Sequence, residues 1–286
     1  MGAVGEPTVR KRQVGSQLER LRRDKGLKLE DVTARTGFTG SKVNRIEHGR
    51  LGIKSDDLDK LLDLYEVEDA DLRAVLHSIA RHSSKRGWWQ NYRDMINPAY
   101  ADLISLEDGA KSMRSYEVSL IPGLLQTAAY ARATIEAIRM DSHPAEVSAL
   151  VEVRQARQSV LSKPEPLELW AVIHEAALRP RIKGNPRVMK EQLQKLLDVS
   201  SLPNASVQVL PLSAPPHVGM SGSFTVLGFP ETSALDVVLV ESLTSSLYVE
   251  DTTEVQRYGS AFERLRAEAL PLAESAYLIE QLKEQQ

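Results

Sequence analysis

The chain has 286 residues, 42% hydrophobic and 26% charged, with a formal net charge of −3; that is ordinary core content and length enough for two domains. The absence of cysteine excludes disulfides, thiolate catalysis and cysteine-based zinc sites. No apolar run approaches the roughly 18 residues of a membrane span, and MGAVGEPTVRKRQ lacks the apolar stretch of a secretory signal, so a soluble, cytoplasmic protein without membrane contact is expected.

Charge is unevenly spread along the chain. Residues 1–50 hold 12 lysines and arginines against 6 acids, a local +6 that leaves −9 for the other 236 residues. Residues 1–9 read as a flexible lead. Arg10, Lys11 and Arg12 follow as a basic arm suited to a phosphate or the minor groove, or simply as a disordered tail. Val14, Leu18 and Leu21 space a first helix that ends near Gly26, with Arg20, Arg22 and Arg23 projecting from it. Residues 29–49 then read as two short helices around a tight turn. Leu29 and Val32 share one face, Gly37 ends the first helix, Phe38 plugs the turn and Thr39 caps the second helix. Val43 and Ile46 point inward, which leaves Ser41, Lys42, Asn44 and Arg45 outside, and Gly49 closes the helix. Two helices at a steep angle, the second polar on its outer face, suit a DNA major groove.

GRLGIKSDDL reads as a loop into a further helix, capped by Ser55 and buried through Leu58, Leu61, Leu62 and Tyr65. The acids Asp56, Asp57, Asp59, Asp63, Glu66, Glu68, Asp69 and Asp71 read as a solvated face directed away from a duplex. These elements predict a five-helix domain over residues 1–76. Residues 77–97 follow as an aromatic and basic linker, whose Trp88, Trp89 and Tyr92 either dock on the second domain or stack unpaired bases. Residues 98–286 predict an α+β domain: a helix over 100–110, a strand over 114–119, and a break at Pro122 and Gly123. A helix then carries Leu124, Ala128, Ala131 and Ile135, and further helices cover 145–161 and 188–197, with an apolar β-prone run at 167–173. SVQVLP, GSFTVLGF and ALDVVLVESLTSSLYVE predict a small antiparallel sheet, and helices over 252–269 and 272–284 finish the chain. The fold class expected is therefore mostly α: a helix-turn-helix domain plus a C-terminal α+β domain.

GLKLEDVTARTGFTGSKVNRIEHGR resembles the helix-turn-helix of the phage-repressor (Xre-type) transcription regulators. It departs from that pattern at Thr33, where alanine is common, and at Gly40, where a glutamine often reads adenine. YEVSLIPGLLQTAAYARA, VRQARQSVL, HEAALRP and FERLRAEAL resemble the domain paired with Xre-type motifs in actinobacterial regulators described as antitoxin-like. This second likeness covers nearly all of residues 85–280 and implies a small partner protein. His174 stands where relatives commonly carry an aspartate.

Enzyme chemistry is not expected. None of His48, His77, His82, His143, His174 and His217 forms a helical i, i+4 pair with a third ligand. His174–Glu175 lacks a nucleophile or metal beside it, and PGLLQT reads as a helix start, although Gln126 and Thr127 suit the wall of a small-molecule pocket. No cofactor and no metal are expected. The sequence predicts a sequence-specific regulator that binds double-stranded DNA through residues 39–48. Ser41 and Asn44 would meet base edges, Lys42 and Arg45 would reach guanine or phosphate, and Lys28, Arg35, Thr39 and Arg50 would contact phosphates. One such domain offers few contacts, so a homodimer on two half-sites is expected, with the second domain as dimerisation and regulatory element. The alternative is an antitoxin-like protein-interaction module that binds a small partner protein and uses DNA for autoregulation; a small-molecule effector is a third possibility.

Overall fold

Apolar residues recurring every three or four positions fold the first part of the chain into α1 (Val9–Asp24), α2 (Leu29–Thr36), α3 (Gly40–Glu47), α4 (Ser55–Leu64) and α5 (Ala70–Ser83). The computed structural model describes residues 7–83, 87–92, 94–139, 143–182, 185–230 and 233–286. Two units form: residues 1–93 with 97–105, and residues 94–96 with 106–286. In the first, Val14, Leu18, Val32, Val43, Ile46, Leu58, Leu61, Leu62, Tyr65 and Leu76 make one buried core.

Local expectations fail in this unit at the basic arm and at the cap of α4. Arg10, Lys11 and Arg12 are no arm, because the Thr8 hydroxyl accepts the Lys11 amide and starts α1 at Val9, itself buried. Arg10 is buried as well, and its Nη2 donates to the Ser105 carbonyl at 3.3 Å. Ser55 is the first residue of α4 rather than its cap. Lys54 holds the cap position, and the Ser55 hydroxyl bonds His77 Nδ1 at 2.9 Å. Trp88–Tyr92 forms a 3-10 turn in which the Trp88 ring stands edge-on to Trp89 at 6.1 Å and to Tyr92 at 6.3 Å. α6 (Pro98–Gly109) begins in the first unit and ends in the second.

The second unit is built on a six-stranded sheet ordered β3-β2-β1-β4-β5-β6. β1 (Ser112–Glu117), β2 (Glu168–His174) and β3 (Ala205–Leu210) run parallel; β4 (Phe224–Gly228), β5 (Val237–Glu241) and β6 (Ser246–Val249) continue antiparallel. The sheet is thus mixed, not small and antiparallel as expected. The cause is the connections. Parallel neighbours need a long crossover, supplied between β1 and β2 by α7 (Ala128–Ile138) and α8 (Pro144–Arg157), and between β2 and β3 by α9 (Arg187–Ser200). Short turns are left only for the last strands. α10 (Thr252–Glu268) covers a sheet face through Phe262 and Leu265 against Tyr116, Val172 and Phe224, while α11 (Leu272–Glu284) packs on α9 and β3. The buried Arg157 guanidinium grips Glu107 at 2.6 Å. Among the described residues no helix is long and apolar enough to cross a membrane.

Candidate nucleic-acid interface

The turn between α2 and α3 is fixed by backbone chemistry. The Asp31 carboxylate accepts the Lys28 amide at 2.8 Å and starts α2. Gly37 ends it with φ 72°, a left-handed conformation that glycine adopts without a Cβ clash, and its amide bonds the Thr33 carbonyl. Thr39 is extended, and its hydroxyl accepts the Lys42 amide at 3.2 Å, so α3 starts at Gly40 and His48 terminates it.

One face of α3 is sealed. Val43 and Ile46 are buried, and Glu47 joins them with its side chain 1% exposed. Glu47 receives two hydrogen bonds from Arg22 of α1, Nε at 2.7 Å and Nη2 at 2.8 Å, while Arg22 Nη1 donates to the Leu27 carbonyl at 2.8 Å. Arg22 therefore does not project from α1 as expected; it clamps α3. Gly15 lets the two helices touch, since a Cβ there would lie 2.4 Å from the carbonyl oxygens of Ile46 and Glu47. Burial, then the Glu47 charge, pushes the neighbouring Tyr65 hydroxyl above its ordinary pKa.

The opposite face is polar and open. Ser41 and Arg45 are exposed, Lys42 and Asn44 half-buried. The Asn44 carboxamide makes no hydrogen bond among the described residues, so its donor and acceptor both remain available; only its backbone carbonyl is used, by the amide and Nδ1 of His48. Lys28, Arg35, Thr39, Arg45 and Arg50 are exposed, and the four cations form no ion pair among the described residues. Lys42 differs: its Nζ lies 2.7 Å from Asp57 Oδ2 and 3.9 Å from the Phe38 ring centroid.

Six acids of the run, Asp56, Asp63, Glu66, Glu68, Asp69 and Asp71, are exposed as expected of a solvated face, and Asp57 and Asp59 are half-buried. Asp57 turns toward α3. Asp59 and Asp63 hold Arg73 at 3.1 and 2.7 Å, and Glu66 holds Lys25 at 2.7 Å. A hydrogen bond from His77, 2.9 Å away, keeps the Asp59 carboxyl below its usual range, helped by the His77 and Arg73 charges.

In the second unit, Gln126 and Thr127 stand at a helix start, as PGLLQT predicts, and are packed there rather than open to a pocket. Gln126 is buried, donates to the Ile121 carbonyl at 2.7 Å and accepts from Arg154 at 2.9 Å, while the Thr127 hydroxyl caps α7. His174 Nδ1 accepts the Ala176 amide, and burial together with His217 holds its pKa below the ordinary imidazole value. Glu175 accepts the Leu212 amide at 2.9 Å and pairs with Arg179. Desolvation pushes the Glu117 carboxyl up to about 7 against a hydrogen bond from Ser223. An open groove of about 430 Å³ lies elsewhere, beside α10, lined by Val218, Gln256, Arg257, Ser260 and Arg264. Among the described residues no group of three or more histidines and acids is placed to hold a metal ion.

A glycine-turned helix pair with a sealed inner face and a free polar outer face defines a helix-turn-helix protein, and the helix-turn-helix domain family matches residues 13–76. That domain marks the chain as a DNA-binding regulator. Residues 100–281 match the family described as Domain of unknown function (DUF5753), and the chain belongs to that family. No curated protein and no solved structure matches it.

Proposed function

We propose that the chain is a sequence-specific transcriptional regulator of the Xre type, with α3 and its caps Thr39 and His48 as the recognition helix. One observation carries this: α3 buries Val43, Ile46 and Glu47 while Ser41, Lys42, Asn44 and Arg45 share its outward side. Asn44 suits adenine, whose N6 donates and N7 accepts; Ser41 reaches a neighbouring edge; Arg45 and Lys42 supply donors for guanine. Lys28, Arg35, Thr39 and Arg50 hold phosphates and set register. Two copies, associated through the second unit, bind half-sites about one helical turn apart. The test is a pair of substitutions on a duplex selected by the wild-type chain. Asn44→Ala weakens that duplex by roughly 1–3 kcal/mol and leaves random DNA unchanged, whereas Arg35→Ala weakens both alike and flattens the salt dependence. Equal loss on both duplexes for Asn44→Ala removes it from base reading.

A second reading, an antitoxin-like module that binds a small partner protein, is supported by the edge strand β6. Leu247 there is 60% exposed, and Leu243 in the preceding turn is 76% exposed. Co-purification of one small protein at fixed stoichiometry, lost on Leu247→Lys, is the result it predicts.

A further inference from the structure

We infer that Asp57 is a positioning residue that determines specificity: it keeps the Lys42 charge away from indiscriminate phosphates and aims it at base edges. This role rests on α3 being the recognition helix.

Two groups locate the Lys42 ammonium. Asp57 Oδ2 accepts a hydrogen bond from it at 2.7 Å, and the Phe38 ring, which the Lys60 ammonium also approaches at 5.8 Å, lies beneath at 3.9 Å. Asp57 sits in the first turn of α4 beside Asp56, where the helix dipole favours a negative charge. The pair is half-buried, with side chains 34% and 23% exposed, so the long lysine stem is held rather than swinging free. A half-exposed pair adds little to stability. Its consequence falls on binding. A lysine neutralised in place does not displace a counterion from random DNA, yet the protons not given to Asp57 remain for guanine O6 and N7. Asp57 therefore lowers random affinity and orients Lys42 on the correct site.

The experiment compares the wild-type full chain with Asp57→Asn, Lys42→Ala and the double variant, with Asp56→Asn as a charge control. Two labelled duplexes are titrated by fluorescence anisotropy: one selected by the wild-type chain from a random pool, and one of scrambled sequence. Asp57→Asn is expected to bind the scrambled duplex several-fold more tightly at low salt. The slope of log K against log salt steepens by about 0.9, so roughly 3.5-fold of the gain disappears between about 50 and 200 mM salt. Affinity for the selected duplex does not rise in parallel, and the specificity ratio falls. In the Lys42→Ala background the same change leaves the slope alone. An equal gain in that background, or from Asp56→Asn, means only that a repelling acid was removed and overturns the role. So does an unchanged slope. A wild-type chain that selects no sequence and holds no duplex overturns the recognition-helix reading itself; normal wild-type selection with a silent Asp57→Asn overturns Asp57 alone. If Asp57→Asn shifts the unfolding curve, Asp57→Ser replaces it in the same comparison.

Discussion

Removing Glu47 should undo the docking of α3. The carboxylate is 1% exposed and takes two hydrogen bonds from Arg22, whose side chain is 10% exposed. Glu47→Ala leaves a buried guanidinium whose remaining partner is the Leu27 carbonyl. Breaking one side of a buried ion pair costs about 3–5 kcal/mol, because the orphaned charge keeps its desolvation penalty. That is a large part of the roughly 5–15 kcal/mol that holds a domain folded. Hydrogen exchange of the full chain reads the effect unit by unit. Amides of α1 and α3 should exchange roughly 100-fold to several-thousand-fold faster in Glu47→Ala, while those of β1, β2 and β3 keep their protection. The paired replacement Arg22→Met with Glu47→Leu should recover most of the loss, since two apolar side chains leave nothing uncompensated. A loss below about 1 kcal/mol, the size of an exposed pair, would refute the buried clamp.

Two glycines of the same unit should respond oppositely. Gly15→Ala drives a methyl group to within 2.4 Å of the Ile46 and Glu47 carbonyl oxygens and should lower urea stability by about 1–3 kcal/mol. Gly40→Ala, whose nearest neighbour is Thr33 Cγ2 at 3.9 Å, should raise it by up to about 1 kcal/mol. In the second unit, Glu117 titrates near 7 rather than at its ordinary carboxylate value, so the fold favours the protonated form. Its contribution is fully present below the unfolded pKa and is lost as pH rises through about 7. Glu117→Gln should accordingly gain stability over wild type between pH 5 and 8, by at most about 3 kcal/mol, as read by thermal unfolding across that range. A gap that does not change with pH would contradict the Glu117 assignment.

The turn was legible because each of its devices is local. Gly37, Thr39 and the Val43–Ile46 spacing act within one helical turn of one another, and the structure has the turn glycine, the cap and the inward pair in those roles. What was missed acts across 15 or 25 residues, as in Lys42 with Asp57 and Arg22 with Glu47. A signal for the buried pair was nevertheless present. Glu47 falls four residues after the inward Val43, and Arg22 four after Leu18, so helical spacing alone places both charges on buried faces. Lys42 and Asp57 gave no such sign, since both lie on polar faces. The sheet departs from the small antiparallel expectation for a topological reason. Extended runs near the end of the chain look like a meander, yet β1 and β2 precede them and are separated by helices, the alternation that produces parallel neighbours. Ser55 is a favourable capping residue by type, but the imidazole of His77 claims its hydroxyl.

The most direct test of the central claim is footprinting of the purified full chain on the DNA upstream of its own gene, at two salt concentrations and with excess random competitor. Two protected half-sites, about one helical turn apart, should survive the competitor and disappear with Asn44→Ala. Protection that competitor and salt abolish together, or that Asn44→Ala leaves intact, would contradict sequence reading by α3.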